Sequence, residues 1–255
     1  MRTIFKGLGI AALILSYIAA SFFIRLLFLS KSKRRALSTR NSSFFAKQVL
    51  SVLGIDVTVH GREKLPARGK TRFVVSNHVS SLDILVLLSL VPAVFVTSVE
   101  LKNRWLTGMI ARCGGSLFVE RRSAASLKKE IDEISRVLRK GFTVVVFPEG
   151  TTSNGERVMP FKNSLFDAAI KSPAKILPLC MRYRKVNAEE VAVQNRDSIF
   201  YYGGETFVRH ALKVLSLKSI EVEVTALDTI PAHGHESRKQ LAASAHHAIS
   251  ASYRQ

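Results

Sequence analysis

The longest apolar stretch of the chain lies near its beginning, where no charged residue occurs between Lys6 and Arg25. These 18 uncharged residues are just enough for a helix that crosses a bilayer, and they are a long run for the core of a signal peptide. The stretch continues past an Ala-Ala-Ser sequence at 19–21 that resembles a cleavage site, and it ends in a basic segment. The pattern therefore predicts an uncleaved N-terminal membrane helix.

A polar segment, residues 30–43, follows the apolar stretch. A second helical pattern then extends from Phe44 to Leu53 and stops at Gly54. This helix can pack against the first or lie on the membrane surface, which makes the anchor either one or two helices. The depth of the first helix in the bilayer stays open, because the basic residues at both of its ends can extend toward water. We therefore divide the chain into a membrane anchor with a linker helix, residues 1–54, and one folded domain, residues 55–255.

Strand-like and helix-like patterns alternate after residue 54. Several apolar runs are β-branched and lack alternating polar residues, which is typical of strands covered on both faces. The predicted strands are Ile55–His60, Arg72–Ser76, Ala93–Val99, Ser116–Glu120, Thr143–Phe147, Lys175–Arg182, Ser198–Tyr202 and Ile220–Ala226. The predicted helices are Leu82–Leu90, Arg104–Cys113, Ala124–Lys140, Asn163–Ile170, Phe207–Leu215 and Ser237–Ser252. This order predicts an α/β fold with a mixed, mainly parallel sheet flanked by helices.

The net charge indicates the class of partner. Lys and Arg number 38 against 19 Asp and Glu, a net charge of +19. Such a charge favours anionic lipid headgroups, phosphorylated substrates, acidic carrier proteins or nucleic acid. The basic residues are dispersed and crowd next to the apolar stretch rather than alternating with aromatic residues, so we expect anionic membrane lipids and no nucleic acid. A basic surface that only keeps the protein soluble is the alternative.

Basic residues are unequally distributed around the apolar stretch. Arg2 and Lys6 precede it, whereas six lie just after it, at 25, 31, 33, 34, 35 and 40. The positive-inside rule then predicts a cytoplasmic location for the C-terminal part, at the inner membrane of a bacterial cell. Cys113 and Cys180 have no metal-type spacing, and we expect buried thiols in a reducing compartment.

One polar motif follows the predicted strand Arg72–Ser76 and contains Asn77, His78 and Asp83. The carboxyl end of a strand is where open α/β sheets place their ligands. A bend of this length lets the Asp83 carboxylate reach one ring nitrogen of His78 and fix its tautomer, so that the other nitrogen can take a proton from a hydroxyl. The alternative is a helix cap in which Asp83 balances the helix dipole and His78 is merely polar.

Three further motifs accompany predicted strands. Phe118 to Arg121 ends a strand on an arginine, which suits a bidentate contact with phosphate, but a surface charge pair explains it as well. Phe147 to Ser153 places a glutamate and a glycine in a turn, followed by three hydroxyl residues, which suits either a headgroup contact or a plain turn. Ile176 to Leu179 is an apolar strand interrupted by Pro178, which suits either the wall of an acyl or acceptor channel or a sheet edge.

Together these four motifs resemble the glycerolipid acyltransferase family that includes the 1-acyl-glycerol-3-phosphate acyltransferases. The family's Asn-His-(four residues)-Asp motif is matched at 77, 78 and 83. Its Phe-Pro-Glu-Gly-Thr-Arg/Thr-Ser motif is matched at every position of 147–153. Arg121 matches the arginine of its second motif, and Ile176 to Leu179 match its proline-centred motif. The resemblance covers roughly Val57 to Ala226 and identifies 55–255 as an acyltransferase domain.

The resemblance implies transfer of a fatty acyl group from an acyl-CoA or acyl carrier protein thioester to the free hydroxyl of a lysophospholipid. The implied acceptor is chiefly 1-acyl-glycerol-3-phosphate, and no cofactor and no metal are expected. His78 is implied as the general base and Asp83 as its orienting partner. The implied acceptor and phosphate contacts are Arg121, Glu149, Gly150 and Thr151, and the implied supporting residues are Asn77, Lys162 and Pro178. The sequence has no Gly-x-Ser-x-Gly elbow, which agrees with direct attack of the acceptor on the thioester.

One position departs from the family. Many 1-acyl-glycerol-3-phosphate acyltransferases have a lysine shortly after the third strand, where this chain has Thr97-Ser98-Val99-Glu100, and Lys102 is out of register. Other lysolipid acceptors, such as a lyso-ornithine lipid, therefore remain alternatives. A metal-dependent hydrolase built on His78 and Asp83 is not favoured, because the histidines at 233, 235, 246 and 247 lack the cysteines or carboxylates of a zinc site.

Overall fold

The computed structural model of the protein describes residues 1–28, 30–67, 70–120, 124–232 and 237–254. Within these ranges the chain forms a sheet with helices on both faces, preceded by two long helices. The strands are Ile55–His60 (β1), Arg72–Ser76 (β2), Val94–Ser98 (β3), Leu117–Val119 (β4), Val144–Val146 (β5), Lys175–Val186 (β6), Glu189–Glu190 (β7) and Ile220–Ala226 (β8). The helices are Arg2–Leu27 (α1), Lys31–Leu53 (α2), Leu82–Leu90 (α3), Val99–Lys102 (α4), Trp105–Cys113 (α5), Ala124–Arg139 (α6), Asp167–Ile170 (α7), Phe207–Ser216 (α8) and Arg238–Arg254 (α9).

The strand order of the sheet is β1-β8-β6-β2-β5-β3-β4, with the short β7 paired to β6. Strands β6, β2, β5, β3 and β4 are mutually parallel, whereas β8 is antiparallel to β6 and β1 is parallel to β8. The predicted mixed, mainly parallel sheet is therefore confirmed. Because the five parallel strands point the same way, the loops that follow β2, β5 and β4 meet at one edge of the sheet, which we call the carboxyl edge. The reversed strands β1 and β8 begin on this side of the sheet, beyond the end of β2, because Ile220 pairs with Val186 of β6 whereas Ser76 pairs with Leu179.

Apolar side chains pack on both faces of the sheet, as the β-branched runs predict. In β2 the side chain of Val74 lies in one cluster with Val86 of α3, whereas Phe73 lies in the other with Ile134 of α6 and Ile249 of α9. All five side chains are almost completely buried. Helices thus cover β2 on both sides, and only its ends are free for chemistry.

The second helix is longer than its apolar pattern predicts. It begins at Lys31 rather than Phe44, so the segment 30–43 is helical for most of its length. Small polar side chains in this part face α1 and are buried: the Ser42 hydroxyl donates to the Ser38 carbonyl and shares a hydrogen bond with the Tyr17 hydroxyl. Small residues let two helices approach closely. A serine hydroxyl that donates a hydrogen bond to a carbonyl of its own helix is satisfied without water. A polarity pattern alone therefore hides this helix.

Helix α1 is the one described helix that is long and apolar enough to cross a membrane. Its inner face packs on α2. Its outer face presents exposed apolar side chains along the whole length, namely Ile4, Phe5, Leu8, Leu15, Phe22, Phe23, Leu26 and Leu27. Near its start, the buried Lys6 ammonium donates to the carbonyls of Leu53, at 2.5 Å, and Leu217, at 2.9 Å. Leu53 and Leu217 lie shortly before β1 and β8 in the chain, so α1 begins on the same side of the sheet as the carboxyl edge.

One predicted strand is wrong. Residues 198–202 form the end of a 3₁₀ turn, Arg196–Ser198, and a loop. Ile199 and Phe200 are buried, which explains the strand-like pattern, but they pack in the hydrophobic core below the β2–α3 loop instead of joining the sheet. The sequence prediction also stopped β6 at Arg182 and missed the two-residue β7.

Candidate functional site

The carboxyl edge brings together the loop after β2 and the loop after β5. The backbone N–H of Ser153 donates to the His78 carbonyl at 3.1 Å, and that of His78 donates to the Glu149 carboxylate at 2.8 Å. Two loops that are far apart in the chain, by 71 residues between His78 and Glu149, are therefore held in direct contact. Two of the four sequence motifs form a single site.

His78 and Asp83 are hydrogen-bonded through their side chains. The distance from His78 Nδ1 to Asp83 Oδ2 is 2.7 Å. The Asp83 side chain is 1% exposed, whereas the His78 side chain is 16% exposed. Within the described residues no hydrogen bond engages His78 Nε2, so one ring nitrogen is oriented by a carboxylate while the other can meet a substrate. This is the geometry of a general base and its orienting partner.

Asp83 accepts further hydrogen bonds that fix it in place. Oδ2 accepts from the backbone N–H groups of Val79 at 2.8 Å and Ser80 at 3.0 Å. Oδ1 accepts from the Tyr183 hydroxyl at 2.7 Å. Burial raises the pKa of Tyr183 well above its usual value, so its hydroxyl stays a donor. Four donors around a buried carboxylate satisfy it without a cation and hold it toward His78.

Tyr183 is a residue that sequence reasoning missed. It lies on β6, 100 positions after Asp83 in the chain, and in none of the four motifs, so no spacing rule links the two residues. The sequence contains only a weak signal for it, a tyrosine between two arginines, Arg182 and Arg184, in the second half of a strand. Its contact with Asp83 depends on β6 lying next to β2, which no local pattern specifies.

The ring of His78 stacks on Phe147, with ring centroids 3.9 Å apart and an interplanar angle of 11°. Phe147 is the residue that follows β5, and it lies between His78 and Phe95 of β3. The stack restricts rotation of the imidazole about χ2, in addition to the bond from Asp83. Phe147, the first residue of the Phe147–Ser153 motif, therefore helps to hold the His78 ring in one orientation.

Asn77 connects the loop after β2 to β6. Its side-chain amide donates to the Met181 carbonyl at 2.9 Å and accepts from the Met181 N–H at 2.8 Å. The side chain is 1% exposed and both of its polar ends are satisfied. The Asn77 side chain thus extends the pairing of β2 with β6 by one residue beyond Ser76, and it fixes the backbone position of the next residue, His78.

Glu149 has both carboxylate oxygens on backbone groups. Oε1 accepts from the His78 N–H at 2.8 Å and Oε2 from the Met159 N–H at 3.1 Å. The residue is 4% exposed. Burial raises its pKa from 4.5 to about 7, with the nearby Asp83 charge adding to the effect and the two N–H donors opposing it. The geometry makes Glu149 a brace that holds the His78 backbone.

Glu149→Gln is expected to remove a pH dependence of stability. Because the folded-state pKa is raised, the folded protein holds a proton that the unfolded chain has released, so the free energy of unfolding falls as pH rises from 4.5 to about 7. The fall is about 3 kcal/mol. Glutamine does not titrate, so the variant lacks this fall. Denaturant unfolding in detergent across this pH range measures it.

The prediction concerns the slope of the free energy of unfolding against pH, not its value at any one pH. The glutamine amide turns an N–H group toward a backbone donor, so the variant is less stable at every pH. Glu63→Gln, at an exposed position, is the matched control and should keep the wild-type slope. Equal slopes in Glu149→Gln and the wild type would contradict the raised pKa.

The other predicted contact residues are distributed around this edge. Gly150 has φ +79°, a conformation that glycine adopts without strain and that turns the chain directly after Glu149. Thr151 is exposed next to it, and Lys162 is exposed while its backbone N–H donates to the Pro148 carbonyl at 2.9 Å. Arg121 lies outside the described residues. It follows Glu120, one residue beyond the end of β4.

Pro178 lies within the sheet, not at its edge. It pairs with Val75 of β2 and is buried, and its carbonyl accepts from the Leu227 N–H at 3.0 Å. Proline has no N–H group to donate to the neighbouring strand. The facing strand β8 ends at Ala226, next to this position, so few backbone groups lose a hydrogen-bond partner. Of the two interpretations made from the sequence, the sheet edge is thus incorrect.

The Tyr201–Glu205 segment packs against the loop between β2 and α3 that carries His78, which we call the histidine loop. The Tyr201 N–H donates to the Val79 carbonyl at 2.9 Å, and the Ser80 hydroxyl donates to the Ile199 carbonyl at 2.6 Å. Beside this segment is an open cavity of about 380 Å³. Its charged lining residues are Asp197, Glu205, Arg209 and Lys213.

No group of three or more histidine, cysteine, aspartate or glutamate side chains suited to a metal ion occurs among the described residues. His233 and His235 lie outside them. Cys180 is buried, as predicted, and Cys113 is partly buried, and both are free thiols.

Comparisons with known proteins agree with the sequence motifs. The sequence model of the Acyltransferase family matches residues 56–182. The chain is 34% identical over 197 residues to the lyso-ornithine lipid O-acyltransferase of Rhizobium meliloti, covering 74% of this chain and 66% of that protein's length. It is 30% identical over 193 residues to the 1-acyl-sn-glycerol-3-phosphate acyltransferase of Neisseria meningitidis serogroup B, covering 76% of this chain and 72% of that protein.

A solved structure has the same fold. The crystal structure of the 1-acyl-sn-glycerophosphate acyltransferase PlsC from Thermotoga maritima superposes with a TM-score of 0.73, over 99% of this chain and 93% of that one. The two sequences are 22% identical. The likeness therefore concerns the fold and includes the two N-terminal helices.

Proposed function

Since the chain belongs to the acyltransferase family, we propose that it transfers a fatty acyl group from an acyl thioester to the free hydroxyl of a lysophospholipid at a membrane. The donor is acyl-CoA or an acylated acyl carrier protein. The observation that supports this most directly is the 2.7 Å contact between His78 and the buried Asp83, with the second ring nitrogen directed away from the carboxylate. A base of this kind needs neither a nucleophilic serine nor a metal.

The proposed reaction is a direct transfer. His78 Nε2 takes the proton of the acceptor hydroxyl as its oxygen attacks the thioester carbonyl carbon. The tetrahedral intermediate then collapses, the carbon–sulfur bond breaks, and the imidazolium returns the proton to the departing thiolate. Asp83 keeps its charge throughout and stabilises the imidazolium, while the stack on Phe147 keeps the ring in place. Binding both substrates side by side supplies much of the rate.

The proposed acceptor is 1-acyl-glycerol-3-phosphate, which would make the product phosphatidic acid. In this proposal Arg121 binds the phosphate, and Gly150 and Thr151 lie along the headgroup. Glu149 supports the site from beneath, because both of its oxygens are engaged by backbone N–H groups. Lys162, exposed near the same turn, adds a positive charge.

A lyso-ornithine lipid is the second candidate acceptor. An ornithine headgroup presents an amine and a carboxylate rather than a phosphate. The cavity beside the Tyr201–Glu205 segment has both signs of charge in its lining, Asp197 and Glu205 with Arg209 and Lys213. The absence of a lysine at Thr97–Glu100 and the 34% identity to the Rhizobium meliloti protein also favour this acceptor.

Acyl transfer by the purified protein in neutral detergent is the test of the function. Labelled acyl-CoA and acylated acyl carrier protein are offered in turn with 1-acyl-glycerol-3-phosphate, a lyso-ornithine lipid and lysophosphatidylcholine. We expect labelled diacyl product with one of the first two acceptors. Transfer to the lyso-ornithine lipid alone replaces the acceptor and keeps the reaction. No transfer from either donor to any of the three would contradict the proposed function.

The proposed location is a membrane, with α1 as the anchor. Its uninterrupted outer row of exposed apolar side chains supports contact with lipid along the helix. For a bacterial cell we propose the inner membrane, with the catalytic domain on the cytoplasmic side, because the basic residues follow α1. Anionic lipids of that membrane surface are the proposed partners of the basic charge.

A further inference from the structure

A strongly basic cavity lies between the end of α1, the start of α2, the end of α5 and the last turns of α6. Its volume is about 360 Å³, within the range of small-molecule sites. Seven cationic side chains line it, namely Arg25, Lys31, Arg34, Arg35, Arg112, Arg136 and Lys140. Glu133 is the one carboxylate in the lining. We call this feature the basic cavity.

The cations of the basic cavity outnumber its one carboxylate seven to one and form no ion pair within the described part of the chain. No carboxylate lies within 4 Å of any of the seven, and the Arg25 guanidinium donates instead to the Arg112 backbone carbonyl at 2.9 Å. Like charges around a concave surface repel one another and attract anions. Several guanidinium groups in one place suit a phosphate, which accepts paired N–H donors.

The basic cavity is remote from the proposed catalytic site. Gly115, in its lining, precedes β4, and Lys140 directly precedes the loop into β5, so both lie at the amino end of the parallel strands. The length of β2 and its loop separates this end from His78, on the order of 20 Å. A phosphate bound here is therefore not the headgroup of the reacting acceptor.

The basic cavity opens next to the surface of α1 that faces outward with apolar side chains. Arg25 lies in the lining, while Phe22, Leu26 and Leu27 on the same turns are exposed. A phospholipid whose chains lie along these side chains places its headgroup at the level of Arg25. Lys31 and Arg34 of α2 stand on the other side of the same headgroup position.

We propose that the basic cavity binds the phosphate of an anionic membrane phospholipid that is not a substrate. This holds the end of the α1–α2 pair at the level of the headgroups. The proposal rests on the membrane location proposed above, and it assigns that location a specific lipid site. Because it concerns lipid binding alone, it can be refuted while the proposed acyl transfer is confirmed, and it can be confirmed while the proposed acyl transfer is refuted.

The test uses the whole protein in neutral detergent and a short-chain phosphatidylglycerol as the probe. Lys31→Gln, Arg136→Gln and Lys140→Gln are combined, because these three side chains are exposed and removing their charge leaves the packing intact. Thermal melting is followed as the lipid is added, which yields an apparent affinity. The matched control combines Arg62→Gln, Lys70→Gln and Arg254→Gln, three exposed cations elsewhere.

We expect phosphatidylglycerol to stabilise the wild type and the control more than phosphatidylcholine with the same chains does. The cavity variant should bind phosphatidylglycerol about 100-fold more weakly. Unchanged affinity in that variant, or equal effects of the two lipids, would overturn the proposal. Inorganic phosphate that stabilises as well as the lipid would assign the cavity to a free anion. A raised KM for acyl-CoA with unaltered lipid binding would assign it to the donor.

Discussion

Replacing His78 by alanine is expected to slow acyl transfer by a factor of about 1,000 or more. A positioned general base contributes roughly 10²- to 10⁴-fold to a rate. No second base among the described residues replaces it at this edge, because Asp83 is 1% exposed and Glu149 is engaged by two backbone N–H groups. The loss should appear in kcat, since the imidazole acts on the hydroxyl proton and does not hold the headgroup. Initial rates with labelled acyl-CoA and a lysolipid, over a range of lysolipid fractions in the micelle, measure it.

The fold should survive this substitution. Asp83 keeps three of its four donors without the ring, the N–H groups of Val79 and Ser80 and the Tyr183 hydroxyl. His60→Ala is the matched control, because His60 is an exposed histidine at the end of β1. We expect wild-type activity in His60→Ala and similar melting temperatures in both variants. Activity in His78→Ala at the level of the control would refute the proposed mechanism.

Asp83→Asn is expected to lower kcat by roughly 10³- to 10⁴-fold, with the KM for the lysolipid little changed. In Ser-His-Asp enzymes the same replacement costs about 10⁴-fold. The amide oxygen can still accept from His78 Nδ1, Val79 N–H and Ser80 N–H while the amide nitrogen faces the Tyr183 hydroxyl, which can turn to accept. The shape of the site is then preserved, but the imidazolium formed during transfer has no negative charge beside it.

Tyr183→Phe tests whether Asp83 acts through its negative charge or through its position. It removes one hydrogen bond to Asp83 Oδ1 and leaves the carboxylate charge and the contact with His78. We expect a loss of activity within about tenfold, together with a lower melting temperature, because a buried carboxylate oxygen is left without its donor. A loss in Tyr183→Phe as large as in Asp83→Asn would show that position, not charge, is what Asp83 supplies.

Local patterns predicted most of the individual strands and the histidine loop well. Ile55–His60, Arg72–Ser76 and Ile220–Ala226 have the predicted bounds to the residue, because each contains β-branched residues and begins after a glycine or a small polar residue. Asp83 reaches His78 because five residues of loop and first helical turn fix their separation, a distance that sequence spacing determines. The predicted family and fold class are confirmed, and the proposed roles of the site residues stay predictions.

What the sequence did not reveal depends on contacts between distant segments. Tyr183 meets Asp83 only because β6 lies beside β2, and Glu149 braces His78 only because the chain returns at Met159. The first half of α2 is helical because its serines face α1, and Ser198–Tyr202 is buried without joining the sheet. In each case a partner elsewhere in the chain, not the local pattern, decides the structure.

The reversed direction of β1 and β8 has a kinetic consequence. Lys6 ties the start of α1 to the carbonyls just before these strands, and three strand spacings, about 14 Å, separate β1 from β2 across the sheet. The exposed apolar side chains Ile4, Phe5 and Leu8 thus lie on the same side of the sheet as His78, but further out along the strands, because Ser76 pairs with Leu179 of β6 whereas Ile220 pairs with Val186. A lysolipid can reach the base by lateral diffusion while its acyl chain stays in hydrocarbon. The concentration that governs turnover is then a surface density, the number of lysolipids per unit area of bilayer, and dilution of the membrane with inert lipid slows the enzyme at constant bulk substrate.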